Sequence, residues 1–562
     1  MTIILRYAFI LLAAGIVGFP TLAYAQSIPG PADAGRIESE PESILPTRQK
    51  PKITLPENIS RESPTVEGAD TIMFFLQSVS VEGMSVLKEH DIADIYEDDI
   101  GKEIPLSRLW EYADRITERY QGKGYFLSRA YVPAQEIEGG TIVLRVTEGY
   151  IGEVLIDDGG RSNYLVDILR SRLLSQRPTR FNDLEKTLLL LNDLPGATYE
   201  SILGRMEDSD DGAVRLTLKK EDSAGRGKVF LNNSGSRFTG PHRTGFAYED
   251  SYLPLQTTAI SGIASLPGGN ELWALSGSHS IKILPELDIT FSAGRTTSDP
   301  GFTLKASDIH SQSLNGSVQL DWQAIRQRTH NLSLHLSLDA HNVKTNTQGE
   351  PLTRDRIRAV RGGIDFDKID FLGGSNFFTA TLSKGISSIG SSKAGEQNLS
   401  RADAEPDFTK FESTWRRQQF LSEHWLATTL IAGQRASKAL YSSEEFGFGG
   451  PALGRAYDSS EITGDHGLAG SLELHYIGLE PLNGFRFVPS AFYDIGKIWN
   501  IDDGQEDGLS AASAGVGLYM SHTSGISSSL TLAQPLTKRI DTQVYGNNGR
   551  NLRLYYELGW EF

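Results

Sequence analysis

From about residue 225 to the carboxy terminus, segments of eight to twelve residues rich in Ser, Thr, Gly, Leu and aromatics recur at intervals of roughly twenty, and turns divide them. Examples are Glu271 to His279, Leu287 to Ala293, Leu314 to Trp322, Leu332 to Asp339, Phe377 to Ser383 and Trp425 to Ala432. Pro267-Gly268-Gly269-Asn270 and Gly546-Asn547-Asn548-Gly549 are two of the turn signals. In the last stretch, steps of two place Leu552, Leu554, Tyr556, Leu558, Trp560 and Phe562 on one side. Asn551, Arg553, Tyr555, Glu557, Gly559 and Glu561 take the other. Side chains alternate across a strand, so this stretch has one face for hydrocarbon or a core and one for water. About sixteen such strands fit residues 223–562, an even number that suits a closed antiparallel barrel in a bacterial outer membrane. A soluble sandwich or propeller would also yield many short strands.

Upstream the period changes. Phe75, Val79 and Val81 lead to Gly83 as strand and turn, and Leu106, Leu109, Ala113, Ile116 and Tyr120 recur at steps of three and four, the signature of one helical face. Strands are predicted over Ser128 to Val132 and Thr141 to Thr147. A second unit repeats the plan, with a strand from Ile151 to Ile156, helices near Tyr164 to Leu174 and Phe181 to Leu194, and strands near Ala197 to Leu203 and Ala213 to Leu218. Leu184, Leu188 and Leu191 form the apolar face of its second helix, which Pro195-Gly196 stops. The expected organisation is therefore two small α+β modules, residues 71–149 and 150–222, ahead of a mostly β domain. Residues 26–70, with seven prolines between 29 and 64, read as a linker carrying at most one short helix around Ala32 to Glu40.

Composition narrows the location. Arg6, an apolar run from Tyr7 to Phe19 and Ala23-Tyr24-Ala25 follow the order of a secretory signal peptide over residues 1–25, with cleavage expected after Ala25. That run is shorter than the roughly 20 residues a spanning helix needs, and no other stretch is apolar enough, so further insertion has to use strands. A net charge of -17 and a pI near 5.2 leave no basic stripe for nucleic acid. The chain has no cysteine, hence neither disulfides nor thiolate metal sites.

Candidate chemistry concentrates in a long Gly-rich segment, Phe446 to Asp458, and in the strand segment Phe492-Tyr493-Asp494-Ile495-Gly496. Alternation places Phe492, Asp494 and Gly496 on one face, pointing into the lumen if Tyr493 and Ile495 meet lipid. A guanidinium such as Arg455 can grip a carboxylate such as Asp494 through two charge-assisted hydrogen bonds in a narrow pore. Exposed, the pair would contribute under about 1 kcal/mol, so the idea requires the loop to be inside. Gly447-x-Gly449-x-x-Ala452 imitates a dinucleotide loop, but Pro451 and the lack of a following helix remove the phosphate site. Asp208-x-Asp210-x-Gly212 begins like a calcium loop, yet Lys219 stands where the bidentate acid belongs. The sequence points to no enzyme, no cofactor and no metal.

Two sets of residues resemble a known family. Tyr120, Gly124 and Tyr125, then Arg129-Ala130-Tyr131-Val132-Pro133 with Gln135, then Glu148-Gly149, resemble the POTRA domains of TpsB-type two-partner secretion transporters, the exporters of haemolysins and filamentous haemagglutinin. Taken alone, these residues read as builders of the domain: Tyr120 and Tyr131 as core, Gly124 and Gly149 as turns. The loop and strand resemble the sixth extracellular loop of that family and of the wider outer-membrane insertase superfamily. There an Arg within Val-Arg-Gly-Phe or Tyr tucks against a Phe-x-Asp-x-Gly strand. The resemblance implies that Arg455 pairs with Asp494 and that Tyr457 holds the aromatic place. Gly454 replaces the usual Val and Ala456 the usual Gly, which puts the loop's backbone turn in question.

The resemblance further implies an outer-membrane pore, with POTRA domains in the periplasm, that works as a monomer and translocates an unfolded TpsA-like exoprotein of adhesin or haemolysin type. It also implies an amino-terminal helix that plugs the resting pore, contact with membrane lipid, and a terminal signal at Trp560 and Phe562 read by the barrel-assembly machinery. Two other classes stay open: an insertase for other barrel proteins, and a passive porin.

Overall fold

The computed structural model describes residues 28–36, 53–54, 68–157, 163–206, 212–222, 225–266, 271–501, 508–537 and 552–562. The expected signal peptide and the turns at 267–270 and 546–549 lie outside them, as do 208 and 210 of the calcium-like motif.

In the first module the apolar face read from steps of three and four becomes helix α1, Arg108–Gly122, whose Leu109, Tyr112, Ala113, Ile116 and Tyr120 are buried. They pack on Ile142, Leu144 and Val146, the inward residues of strand Thr141–Thr147. That strand runs between Ser78–Glu82, parallel to it, and Arg129–Tyr131, antiparallel. A short pair, Met73–Phe75 with Glu103–Pro105, stands beside this sheet.

The second module follows the same plan with α2, Tyr164–Ser175, and α3, Phe181–Asn192. Asn163 caps α2, its side-chain oxygen accepting from the amides of Leu165 and Val166 at 3.1 Å each, which satisfies two donors that have no partner within the helix. Both helices cover a sheet ordered Ile53–Thr54, Ala197–Arg205, Ala213–Asp222, Tyr150–Asp157.

The remaining chain closes a barrel of sixteen antiparallel strands in sequence order, from Arg226–Asn232 to Arg553–Glu561. The closing pair aligns Lys228 with Glu561, and Gly227 and Phe562 exchange backbone hydrogen bonds of 2.8 and 2.9 Å beyond it. The final strand alternates as its sequence predicts. Leu554, Leu558, Trp560 and Phe562 are about half exposed on the outer surface, while Arg553 is buried inside. The same outward band includes Leu314, Leu336, Leu338, Leu472 and Val516, a girdle that only hydrocarbon can cover. Inward positions are small and polar, with Ser261 and Ser276, Ser280 and Thr290, and Ser311 and Thr345 hydrogen-bonded across neighbouring strands.

Several strands run further than the sequence suggested: Leu314 to Trp322 extends to Ile309–Arg326, and Leu332 to Asp339 to His330–Thr347. The added ends hold isolated apolar residues, Ile309, Ile325 and Val343, among polar ones, too sparse a pattern for alternation to be read.

The second module is fastened to the barrel's short turns. Arg326 holds Asp193 at 2.6 and 2.7 Å, Arg172 holds Glu286, and Arg328 lies 3.1 Å from Glu185. The Tyr164 hydroxyl donates to the Ile283 carbonyl at 2.8 Å, and Leu255 from another turn joins the module's core. The second module thus sits at the end of the barrel opposite the long loop.

Candidate functional site

The loop between strands Trp425–Ala436 and His466–Tyr476 does not project outward; it folds back into the lumen. A two-stranded hairpin, Phe446–Phe448 with Ile462–Gly464, gives it a stem, and Phe448, Ala456, Tyr457 and Asp458 at its tip are almost wholly buried. Alternation builds the receptor. On one strand Phe492, Asp494 and Gly496 face inward, with Tyr493 and Ile495 45% and 51% exposed outside; on its neighbour Ser471 and Glu473 face the same way.

Asp494, with no exposed surface, accepts from the amides of Gly454 and Arg455 at 3.2 and 2.9 Å. It also accepts from Arg455 Nε at 3.1 Å and Nη2 at 2.9 Å. Arg455 further donates to Glu473 at 2.6 Å and to Ser471 at 3.0 Å, and its guanidinium carbon lies 3.5 Å from the centre of the Phe492 ring. The bidentate grip and the aromatic platform are arginine chemistry, which a lysine would not reproduce. The Tyr457 hydroxyl donates to the Ala512 carbonyl at 3.0 Å. At Gly496 a Cβ would come within 2.3 Å of the Phe448 ring, so the strand needs a glycine for the loop to lie flat on it. Gly454 and Ala456 both hold positive φ, +86° and +111°. The two departures from the family pattern thus both fall on a left-handed bend, with a strained alanine at its second position.

Arg455 is one of several buried ion pairs that run the loop's length. Counting Arg226–Asn232 as the first strand, Glu444 meets Arg361 on the eighth, at 2.6 Å, and Lys410 on the tenth, at 2.7 Å. Arg455 binds the twelfth and thirteenth, and Asp458 binds Arg553 on the sixteenth at 2.8 Å. Asp458 and Glu461 also hold Arg237 from the first extracellular connection, at 3.3 and 2.9 Å, and Asp465 holds Arg401 at 3.0 Å. The loop thus bars half the barrel's circumference. Sequence reasoning missed Glu444, Asp458, Glu461 and Asp465, because an isolated acid in a loop reads as solvated and nothing local distinguishes a buried one.

The amino-terminal segment 28–36 lies against this loop. The Arg36 guanidinium donates to the carbonyls of Ser442 and of Glu445, the latter at 2.9 Å, and Ser442 donates to Asp33. The Ser236 hydroxyl donates to the Pro31 carbonyl at 2.7 Å. The helix expected over residues 32–40 is not formed where the chain is described. A single 3-10 turn, Gly30–Ala32, is followed by a tight turn, because Asp33 spends its carboxylate on the Gly35 amide at 2.8 Å and on Ser442 instead of leaving the backbone to coil. Residues 37–40 lie outside the described residues.

The module signature has a different character. Glu148 accepts from the Ser85 and Val86 amides at 2.7 and 3.0 Å, from the Ser85 hydroxyl, and from Tyr120 at 2.7 Å. Burial pushes the Glu148 carboxyl up, but these donors outweigh it and hold it below its ordinary value of 4.5; burial and then Glu148 push the Tyr120 hydroxyl up. Gln135 pairs with both backbone groups of Val143, at 2.8 and 2.7 Å, continuing the ladder where strand Arg129–Tyr131 ends. Gly124, at φ +90°, accepts from the Phe181 amide, and Gly149 accepts from that of Thr179, so both glycines sit at the junction of the modules. A Cβ on Gly149 would lie 2.4 Å from the Leu127 carbonyl oxygen. Arg129 opens its strand opposite Thr147, and Pro133 lies just past that strand's end.

Residues 74–149 match the ShlB-type POTRA domain, and residues 211–520 match the haemolysin secretion/activation protein ShlB/FhaC/HecB. The heme/hemopexin transporter protein HuxB of Haemophilus influenzae is 25% identical over 570 residues, covering 95% of this chain and 96% of its own. The outer membrane transporter CdiB of Dickeya dadantii is 21% identical over 552 residues, covering 93% and 94%. Among solved structures, CdiB from Escherichia coli superposes with a TM-score of 0.69 at 18% identity over 90% of this chain and 93% of that one. BamA from Haemophilus ducreyi lacking POTRA domains 1-3 reaches 0.51 at 13% identity, over 87% and 100%. With its family match spanning more than half of its length, the chain belongs to the ShlB/FhaC/HecB family of haemolysin secretion/activation proteins, outer-membrane β-barrel transporters of two-partner secretion.

Proposed function

We propose that this transporter passes one unfolded TpsA-like exoprotein, of adhesin or haemolysin type, from periplasm to cell surface, and that both α+β modules act as POTRA domains that receive it. The observation that carries the reading is the loop held inside the lumen by Arg455 on Asp494, a closed arrangement of parts that can separate. The relatives include a heme/hemopexin transporter and CdiB transporters, which supports a dedicated secreted client. An extended client adds to a module's sheet edge through main-chain hydrogen bonds. Folding outside then biases its movement outward.

Arg455 and Asp494 keep the resting pore shut, and the pair breaks and re-forms during transport. Arg455→Ala and Asp494→Ala each lower secretion of the cognate exoprotein while the barrel reaches the membrane at its usual level, measured by heat-modifiable gel mobility. Full secretion from both variants would refute the role. Trp560 and Phe562 serve assembly: removing Phe562 lowers barrel insertion without changing transport per inserted barrel, and normal barrel levels would leave Phe562 only a lipid contact.

A further inference from the structure

Two anchor points of the barring loop carry opposite charge logic. At Arg455 the loop supplies the cation and the wall supplies the acids Asp494 and Glu473. At Glu444 the loop supplies the acid and the wall supplies the cations Arg361 and Lys410. The Glu444 and Lys410 side chains are each 5% exposed, and the Arg361 guanidinium reaches both carboxylate oxygens of Glu444, at 3.2 and 2.6 Å. The three residues border a luminal cavity of about 930 Å³ beneath the loop. The backbone beside Glu444 is the part of the loop on which the amino-terminal segment rests, through Arg36 on the Ser442 and Glu445 carbonyls.

We propose that Glu444, with Arg361 and Lys410, is a second latch of the loop, a positioning site that keeps the pore shut independently of Arg455. The geometry supports it: releasing Arg455 alone leaves the first third of the loop pinned to the eighth and tenth strands, still across the cavity. Asp339 lies 3.4 Å from Arg361 and Glu412 lies 3.2 Å from Lys410, so each wall cation has a neighbouring acid to fall back on when Glu444 leaves. Those acids let the latch open without stranding bare charge, which distinguishes a reversible catch from a structural ion pair. The amino-terminal segment sits over the catch and has to leave before the loop at Ser442 to Glu445 can swing.

The proposal deepens the reading of the loop as the moving part, and its test needs no client. The full-length protein is reconstituted in planar lipid bilayers, and opening frequency and reversal potential are recorded across a potassium chloride gradient. Glu444→Gln and the double variant Arg361→Gln/Lys410→Gln break the latch from opposite sides, so both raise opening frequency severalfold. They shift the reversal potential in opposite directions, Glu444→Gln toward chloride and the double variant toward potassium. Glu444→Asp, which keeps the charge, opens less often than Glu444→Gln. If these groups only line the conduit, the reversal potentials move and opening frequency does not, which overturns the proposal. Should Glu444→Gln fail to assemble, Glu444→Gln/Arg361→Gln removes one acid and one base together, and wild-type opening by that assembled variant overturns the proposal equally. In a separate secretion assay, unchanged secretion by variants that open more often would count against the transport reading of the loop and leave the latch standing, whereas unchanged opening refutes the latch whatever secretion does.

Discussion

Glu148 in the first module and Asp494 in the barrel are both carboxylates that gather four donors, yet they join different things. Glu148 ties the turn at Ser85 and Val86 to Tyr120 of α1, all within one folded unit. Asp494 ties a wall strand to a loop that begins and ends elsewhere, and among its donors is a guanidinium that has Glu473 as a second partner. A hub inside a unit stabilises that unit. A hub between a wall and a loop sets an equilibrium between two positions, and the second partner makes departure gradual.

The strongest way to break this contrast is Asp494→Ala. Removing one partner of a buried pair costs about 3–5 kcal/mol, here eased by Glu473, so amide exchange across residues 446–464 accelerates while exchange in the barrel strands does not. Unchanged exchange in the loop would make Asp494 an ordinary wall residue. Next in size, Glu148→Ala removes charge-assisted hydrogen bonds and lowers the stability of the first module by about 2–3 kcal/mol, read from exchange of α1 in the full chain.

Because the folded Glu148 carboxyl is held below 4.5, its contribution is fully present above that value and fades as pH falls through the lower folded value. The wild-type module therefore loses exchange protection on acidification below 4.5, and the variant loses less. Secretion that falls with no change in α1 exchange would transfer Glu148 to the functional class. A smaller effect belongs to Gln135→Ala, about 1 kcal/mol for two neutral hydrogen bonds to Val143, seen as faster exchange at Val143 alone. Smallest is Ala456→Gly. It relieves about 1–3 kcal/mol of strain at φ +111° and gives up about 0.8 kcal/mol of methyl burial. The docked loop should therefore become slightly slower to exchange, and a loop that loosens would show that packing outweighs strain there.

What could be read from residue order was whatever a short-range rule governs. Alternation located the lipid face, as at Leu554, Leu558 and Trp560, because hydrocarbon selects every second residue. Steps of three and four located α1 through Leu109, Ala113, Ile116 and Tyr120. Phe492, Asp494 and Gly496 share a face for the same reason, while the partner of Asp494 came from resemblance and a pairing argument. The extensions of His330–Thr347 and its neighbours were not legible, since apolar residues such as Val343 and Ile309 stand isolated among polar ones there. Nor were Glu444 and Asp458, whose burial depends on Arg361, Lys410 and Arg553 far along the chain. The bend at 454–456 was not legible either: Ala456 holds φ +111°, a conformation that an alanine does not signal.

The small hydroxyl and glycine residues of the inner wall, among them Ser261, Ser276, Ser278, Ser292 and Gly294, give the conduit the character of a lubricated surface. A passing peptide that exchanges water for a serine hydroxyl gains about 1 kcal/mol or less per contact, and among the described residues these positions offer it no large apolar side chain to stick to. Along that serine and glycine stretch each residue of travel is then nearly level in free energy, so it neither drives the cargo nor detains it, and throughput falls to the charged gate above and to events beyond the membrane.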